Sequence, residues 1–380
     1  MRFLIDRNQL AQGVTWVARH LPTRPTTPVL AGIRLEVTED HRLKLSAFDY
    51  EVSAEVTLEP QVAEPGVALV SGRLLAEITR ALPAHPVTFT LDGAKVVVTC
   101  GSTRSTLLTM PVENYPSLPV MPPAAGRVGS DVFASAVAHV VIAAARDRTL
   151  PTLTGVRMEI DGDTIVLAAT DRYRLAVREL KWTPAQPDLQ AVAVIPGRTL
   201  ANIAKALGGT GAEVEIALSP GGTGAGMIGF SSAGRRTTTR LLDPDFPKFR
   251  QLFPTEFTAT ATIPTSAFVK AVKRVALAAG RGTPIKLTFR GGEVVLEAGS
   301  GDDAQAVEVL PVTFDGGEFT IAFNHKHLLE GLGAIDSDVV RLQFTTATKP
   351  AIVTPGKPAG EGESCDYRYL VMPVRLSAGG

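Results

Sequence analysis

The 380-residue chain, 45% hydrophobic and 20% charged, with 35 glycines and 27 prolines, is long enough for two to four domains of roughly 100 to 200 residues, which excludes disorder as the main state. Its 38 Lys and Arg balance 38 Asp and Glu, so a strongly charged partner must meet a local patch and not a global field. Two cysteines, Cys100 and Cys365, exclude a disulfide framework or a multi-cysteine zinc site; no run approaches the ~18 apolar residues of a membrane span, and the opening MRFLIDRNQLAQGV breaks at Asp6 and Arg7, so a cytoplasmic protein without signal or anchor is expected.

In chain order, the first element is a helix on Leu10, Val14 and Val17, whose i, i+4, i+7 spacing puts all three on one face. A strand-like run, TPVLAGIRLEV, starts at Thr27, and RLKLSAF follows it. SGRLLAEITRAL from Ser71 reads as a second helix, and PVTFTLDGAKVVVTC as a hairpin turning at LDGAK. The Pro-rich ENYPSLPVMPPAAG breaks both helix and central strand. The pattern then starts again: a helix on Phe133, Val137 and Val140, strand-like LPTLTGVRMEI from Leu150, DTIVLAATD, a helix in PGRTLANIAKAL from Pro196, and AEVEIALSP. Gly222 to Gly226 reads as a flexible loop, and DPDFPKFRQLFP as a second Pro-rich break. A third round has a helix on Phe268, Val272 and Val275, TPIKLTFRGGEVVL with a hairpin at FRGGEV, EFTIAF, and a helix in FNHKHLLEGLGAI, before a loop-like tail from Pro355 to Glu363.

This is an internal repeat. Leu10 to Phe133 and Leu30 to Leu153 are both offsets of 123 residues, and Gly72, Gly197 and Asn324 are 125 and 127 apart. Order and spacing together predict three homologous α+β domains, 1–121, 122–255 and 256–380, each with two amphipathic helices on antiparallel sheet.

Away from their apolar stripes the repeats carry cations: Arg19, His20, Arg24, Arg73 and Arg80; Arg146, Arg148, Arg198 and Lys205; Lys270, Lys273, Arg274, Arg281, His325 and Lys326. They read either as ordinary solvated helix faces or, if equivalent helices share one side of the molecule, as a repeated cationic surface with the acids elsewhere. Such a surface suits a phosphate backbone, which Lys and Arg bind without reading sequence.

Catalytic patterns are weak. Gly224 to Gly229 matches GxGxxG formally, but a strand-like FSS follows where a dinucleotide fold needs a helix, which favours a hairpin loop. His325 and His327 are either two metal ligands without a third or a solvated helix start, and Asp243, Asp245, Asp302 and Asp303 read as solvated loop acids. No GxSxG, phosphate loop or HExxH occurs. A cytosolic enzyme on a repeated scaffold would have to hide its chemistry, and no cofactor or metal is expected.

Arg24-Pro25-Thr26, the segment Ala169 to Val177 (ATDRYRLAV), the turn Asp245 to Phe249 and the terminal Tyr369 to Leu376 (YLVMPVRL) resemble the bacterial DNA polymerase III subunit beta, the sliding clamp, through essentially the whole chain. The resemblance implies a head-to-tail homodimeric ring of six similar domains, with helices lining a hole for duplex DNA and sheets outside. Weak contacts to phosphate let duplex pass while topology retains it, so no catalytic residue is needed. The DNA-facing residues would be Arg24, Arg73, Arg80, Arg146, Arg148, Arg198, Lys205, Lys273 and Arg274.

The resemblance also implies a pocket for partner peptides between the second and third repeats. It would comprise Leu153, Thr170, Arg172, Tyr173, Arg174, Leu175, Pro247, Gln251 and Leu252, with Leu370, Val371, Met372, Pro373, Val374 and Arg375. An apolar cleft rimmed by Arg and Tyr suits peptides anchored by one or two bulky side chains, and Met372 adds adaptability. Implied partners are the DNA polymerase III alpha subunit, the clamp-loader delta subunit, and other polymerases and repair enzymes. The sequence departs from the enterobacterial pattern at Arg172-Tyr173, where that pattern has Gly-His, at Gln251, where it has Arg, and at Pro151-Thr152, where it has an aromatic pair associated with DNA contact. A different partner preference is expected, and with it the alternative of a duplicated, specialised clamp tolerating a pocket-binding peptide antibiotic. The neutral balance, in a family usually acidic, implies weaker repulsion from DNA outside the hole.

Overall fold

A computed structural model of the chain describes residues 1–147, 149–209, 211–219, 226–280, 282–299, 304–356 and 366–375. Arg148, Arg281, Asp302, Asp303, Cys365, most of the Gly222 to Gly226 loop and most of the tail lie outside the described residues. The chain forms two compact units. The first is Met1–Ser130, Thr183–Gln186 and Lys205–Leu241; the second is Asp131–Trp182, Pro187–Ala204 and Leu242–Gly380.

All six expected helices occur: α1 (Arg7–Ala18), α2 (Gly72–Ala81), α3 (Ser130–Val141), α4 (Gly197–Leu207), α5 (Thr265–Val275) and α6 (His325–Gly333). The Asp6 carboxylate starts α1 by accepting from the Asn8 and Gln9 amides at 2.9 Å each, and Asn324 caps α6 by accepting from the Lys326 amide at 3.0 Å. The apolar stripes read from spacing are buried, with Leu10, Val14, Val17, Phe133, Val137, Val140, Phe268, Val272 and Val275 all 1% exposed or less.

In the first unit α1 packs on α2 and on the strands Leu43–Phe48 and Val52–Leu58. These belong to a nine-stranded antiparallel sheet in which Arg235–Arg240 pairs with Val52–Leu58, so strands of the first and middle repeats share one ladder. A five-stranded sheet completes this unit and ends at Thr103–Leu108. The second unit follows the same plan: in its nine-stranded sheet Arg174–Lys181 pairs with Tyr367–Val371, joining middle and third repeats. Its four-stranded sheet ends at Ala306–Pro311. The compact units therefore cut across the sequence repeats, because backbone ladders cross the repeat boundaries.

Two sequence expectations need correction. The runs from Thr27 and Leu150 are not strands throughout, since Pro28–Ala31 and Pro151–Thr154 are 3-10 turns and the strands start at Gly32 and Gly155. Proline fixes φ and lacks the N–H a ladder would use, so each run opens as a turn. The tail also begins later than expected, because Pro355 and Gly356 are the last residues of the strand Ala351–Gly356, whose partner is Val339–Phe344. The FRGGEV hairpin has Gly291 and Gly292 at φ 54° and 84°, the positive values a two-residue turn requires.

Gly331 of α6 faces the ring of Tyr369, with atoms 2.3 Å from where a Cβ would sit. That ring is fully buried, and its hydroxyl donates to the His327 carbonyl at 2.8 Å, so it has nowhere to move. Gly331→Ala is expected to lower unfolding free energy by about 1–3 kcal/mol, the usual cost of overpacking, measured by urea titration.

Candidate functional site

The ATDRYRLAV segment forms the turn of a hairpin between the strands Thr164–Thr170 and Arg174–Lys181. Its loop is held by short polar side chains. The Thr170 hydroxyl donates to the Arg174 carbonyl at 2.7 Å and accepts from the Arg172 amide at 3.2 Å, while Asp171 accepts from the Tyr173 and Arg174 amides at 3.0 and 3.1 Å. Arg172 sits at φ 78°, in the left-handed region where a Cβ is disfavoured and glycine is relaxed. Its exposed guanidinium lies 6.0 Å from the Tyr173 ring centroid, and Tyr173 is 57% exposed.

Arg174 faces the other way. Its side chain is 4% exposed and pairs with Asp171 at 2.9 Å and with Glu330 of α6. Burial disfavours its charge, but the carboxylates and Tyr369 more than offset this and hold its pKa above the ordinary arginine value. The second oxygen of Glu330 takes Arg146 at 3.0 Å. Arg174, expected in the pocket wall, is buried beneath the loop and tied to Asp171 and Glu330.

The C-terminal strand supplies the floor. In the ladder Leu175 stands opposite Leu370 and Val177 opposite Arg368, whereas Arg174 stands opposite Val371, so Leu370 and Val371 point to opposite faces of the sheet. On the Leu370 face lies an apolar cluster of Ala168, Leu175, Val177, Val194, Phe246, Phe249, Ile352 and Leu370, with Leu242, Phe253, Phe257 and Met372 half-buried against it. The Met372 amide donates to the Tyr173 carbonyl at 2.8 Å and the Val374 amide to the Ala322 carbonyl at 2.8 Å, which pins the segment after the strand. Arg250 stacks over Phe249 and Arg368 over Phe253, each 4.8 Å from the ring centroid.

Of the expected pocket residues, Leu175, Leu370 and Met372 come together in this cluster. Leu252 and Val374 are exposed beside a largely buried surface at 49% and 37%, and Pro247, Gln251 and Arg375 are exposed; Pro373 is half-buried and bridges to Phe323. Leu153, 9% exposed, is buried in its own 3-10 turn and is not in the cluster. Thr170 and Val371 are buried scaffold. Sequence reading missed Phe246 and Phe249. Their signal was the DFPKF turn itself, two aromatics around Pro247 whose rings meet edge to face at 6.4 Å.

The expected cations differ in state. Arg24, Arg73, Arg80 and Lys205 in the first unit, and Arg198 and Lys273 in the second, are exposed. Arg146 is paired with Glu330, and Arg274 is bidentate to Glu308, one contact being 2.9 Å, so acids are not wholly elsewhere. Arg148 lies outside the described residues. His20 leaves the cationic set: burial, with help from the nearby Arg19 charge, lowers its pKa below the ordinary histidine value. His325 and His327 are half-buried at the start of α6, and burial lowers the pKa of both. No group of three or more potential metal ligands occurs among the described residues.

Comparison with known proteins gives the same pattern across the chain. The DNA polymerase III beta subunit families match it in order: the N-terminal domain over residues 1–119, the central domain over 127–248 and the C-terminal domain over 250–375. The chain is 57% identical to the beta sliding clamp of Streptomyces coelicolor, covering 99% of this chain and 100% of that one. It is 42% identical to the beta sliding clamp homolog GriR of Streptomyces muensis, with the same coverage. The solved clamp of Pseudomonas aeruginosa bound to griselimycin superposes with a TM-score of 0.90 at 26% identity, and that of Bacillus subtilis with 0.91 at 25%, each covering 99% of this chain and 100% of the other. A three-domain α+β clamp fold with full-length relatives at this identity leaves one assignment: the chain belongs to the bacterial DNA polymerase III beta subunits, the beta sliding clamps.

Proposed function

We propose that the chain works as a head-to-tail homodimeric ring, built from repeats 1–121, 122–255 and 256–380, that encircles duplex DNA without reading its sequence. In this reading it is a cytoplasmic, non-catalytic processivity factor. It tethers the DNA polymerase III alpha subunit, the clamp-loader delta subunit, and other polymerases and repair enzymes through the peptide pocket. The observation that carries the reading is the apolar face of Leu175, Leu370, Met372, Phe246 and Phe249, rimmed by stacked arginines. The buried cluster reaches the surface at the half-buried Met372, Leu242, Phe253 and Phe257, and an aliphatic and aromatic edge with a polar rim suits a short peptide that buries one or two large side chains.

Two further features support the ring. The strands Thr103–Leu108 and Ala306–Pro311 end their sheets, and Leu108, Val307 and Val309 are 71%, 64% and 51% exposed. Unpaired edges with apolar side chains invite pairing, and joining one such edge to the other in a second copy is the heterologous contact that closes a ring. The exposed Arg24, Arg73, Arg80, Arg198, Lys205 and Lys273 supply weak, sequence-blind contacts to phosphate.

A second reading, a duplicated clamp specialised to tolerate a pocket-binding peptide antibiotic, draws on the altered loop at Arg172 and Tyr173 and on Gln251. Griselimycin separates the two: tight binding with loss of polymerase stimulation supports the ordinary clamp, whereas weak binding with stimulation retained supports the specialised copy.

The double variant Met372→Ala, Pro373→Ala is expected to abolish polymerase stimulation while the dimer persists; unchanged stimulation sinks the pocket assignment. Loaded onto nicked circular DNA, the protein is expected to slide off once a restriction enzyme linearises the circle, and retention after cutting overturns topological linkage. Arg104→Glu is expected to favour monomer in analytical ultracentrifugation. Adding the opposite reversal at Asp302 or Asp303, both outside the described residues, is expected to restore the dimer.

A further inference from the structure

The apolar face of the second unit continues past Leu370 into a charged row. In successive ladders Gln343 stands opposite Ile352, Ile352 opposite Leu370, and Leu370 opposite Leu175. Two residues along each strand, Arg341 stands opposite Thr354 and Arg368 opposite Val177. Side chains two positions apart share a face of a sheet, so these two rows lie side by side. The ladder between Ala351–Gly356 and Tyr367–Val371 has its last pair at Val353 and Tyr369. One place beyond it, Thr354 and Arg368 line a cavity of about 670 Å³ together with Arg341. Phe253, Phe257 and Ile352 line it too, and all three belong to the apolar cluster or pack against it. The cavity is therefore continuous with the surface on which the peptide reading rests.

The cations around it differ in state. Arg250 is taken by Glu159, and Arg178 lies 3.8 Å from Asp366. Arg341 is half-buried and Arg368 exposed, and among the described residues neither has a carboxylate partner. Two carboxylates line the cavity, Asp336 and Asp366, and neither pairs with Arg341 or Arg368. A half-buried guanidinium has lost part of its hydration without gaining a counter-charge, which favours an acid brought from outside. Stacking on Phe253 holds the Arg368 plane in place before that acid arrives.

We propose that this cavity receives an acidic side chain of the partner peptide. With its large apolar side chains on the cluster, the peptide places an Asp or Glu carboxylate between Arg341 and Arg368, and the Thr354 hydroxyl between them is a further donor. A planar guanidinium fork donates paired hydrogen bonds to a carboxylate. The adjoining wall of Phe253, Phe257 and Ile352 suits the aliphatic parts of a peptide better than a sugar-phosphate chain. The inference rests on the peptide reading and adds the chemistry of the partner: an acidic residue beside the apolar anchors.

Three fluorescein-labelled peptides test it by anisotropy with the full-length protein. One has three aspartates on either side of a Leu-Phe anchor, the second has asparagines in place of the aspartates, and the third keeps the aspartates with Ala-Ala as anchor. The aspartate peptide is expected to bind about five- to tenfold more tightly than the asparagine peptide, by a margin that shrinks as salt is added. Arg341→Gln with Arg368→Gln should remove that margin and leave the asparagine peptide unchanged. Arg290→Gln, which removes an exposed cation from the four-stranded sheet of the same unit, should keep it. Equal affinity of the aspartate and asparagine peptides overturns the acidic site and leaves the apolar peptide surface standing, as does a margin that survives the double variant. If the Ala-Ala peptide binds as tightly as its parent and is lost in the double variant, the acidic site stands and the apolar anchoring fails. Binding of none of the three overturns both. Displacement of the aspartate peptide by a short duplex whose own affinity falls in the double variant overturns the peptide assignment in favour of nucleic acid. Arg368 is a surface side chain, so Arg368→Gln alone, expected to lose part of the margin, keeps the test valid if Arg341→Gln disturbs the sheet.

Discussion

The architecture of the second unit depends on one antiparallel ladder, Arg174–Lys181 against Tyr367–Val371. It joins residues nearly two hundred positions apart, and its alternation sends Leu370 to the apolar face and Val371 to the helix side. Arg174 locks this arrangement from beneath. Its buried guanidinium ties the hairpin through Asp171 and ties α6 through Glu330. A buried cation of this kind tolerates no loss of a partner, because an unpaired charge left in the interior costs about 3–5 kcal/mol. The loop above it therefore presents Arg172 and Tyr173 in a fixed place, and the Tyr173 carbonyl in turn holds the Met372 amide.

Much of the fold was legible in the sequence because it is written in periodicity. Leu10, Val14 and Val17 recur as Phe133, Val137 and Val140 and again as Phe268, Val272 and Val275, and a 3.6-residue period leaves little choice of structure. The Thr27 and Leu150 runs were misread because their prolines begin apolar segments that look extended until backbone donors are counted. The division into two compact units was invisible, since a ladder between distant strands leaves no local mark. In the same way, the apolar cluster was legible through the contiguous motifs that hold Leu175, Leu370 and Met372 but not through its aromatic members: Phe246 and Phe249 join it by folding back onto Leu175 and Leu370.

The electrostatics show the same limit. A list of cations cannot tell which are free. Arg274 is neutralised by Glu308 and Arg146 by Glu330, His20 is driven toward its neutral form by burial, and Arg235, which no helix pattern flagged, is half-buried over Trp16 with no carboxylate partner among the described residues. The partners come from other strands or helices, so pairing is a property of the fold. What remains exposed is a subset, and weak screened charges of that kind favour association without a deep trap at any one position.

Because each nine-stranded sheet draws strands from two successive repeats, the unit that recurs in the sequence is not the compact unit of the fold. A fragment cut at a repeat boundary would carry half of a ladder, with Val52–Leu58 or Tyr367–Val371 left as a bare edge. Recombination between related clamps meets the same obstacle: a crossover placed where the repeats meet in sequence forces strands from two ancestries to pair directly. Exchanges that respect the ladders have to move those paired strands together, so the boundaries visible in the gene are the least suitable places to shuffle it.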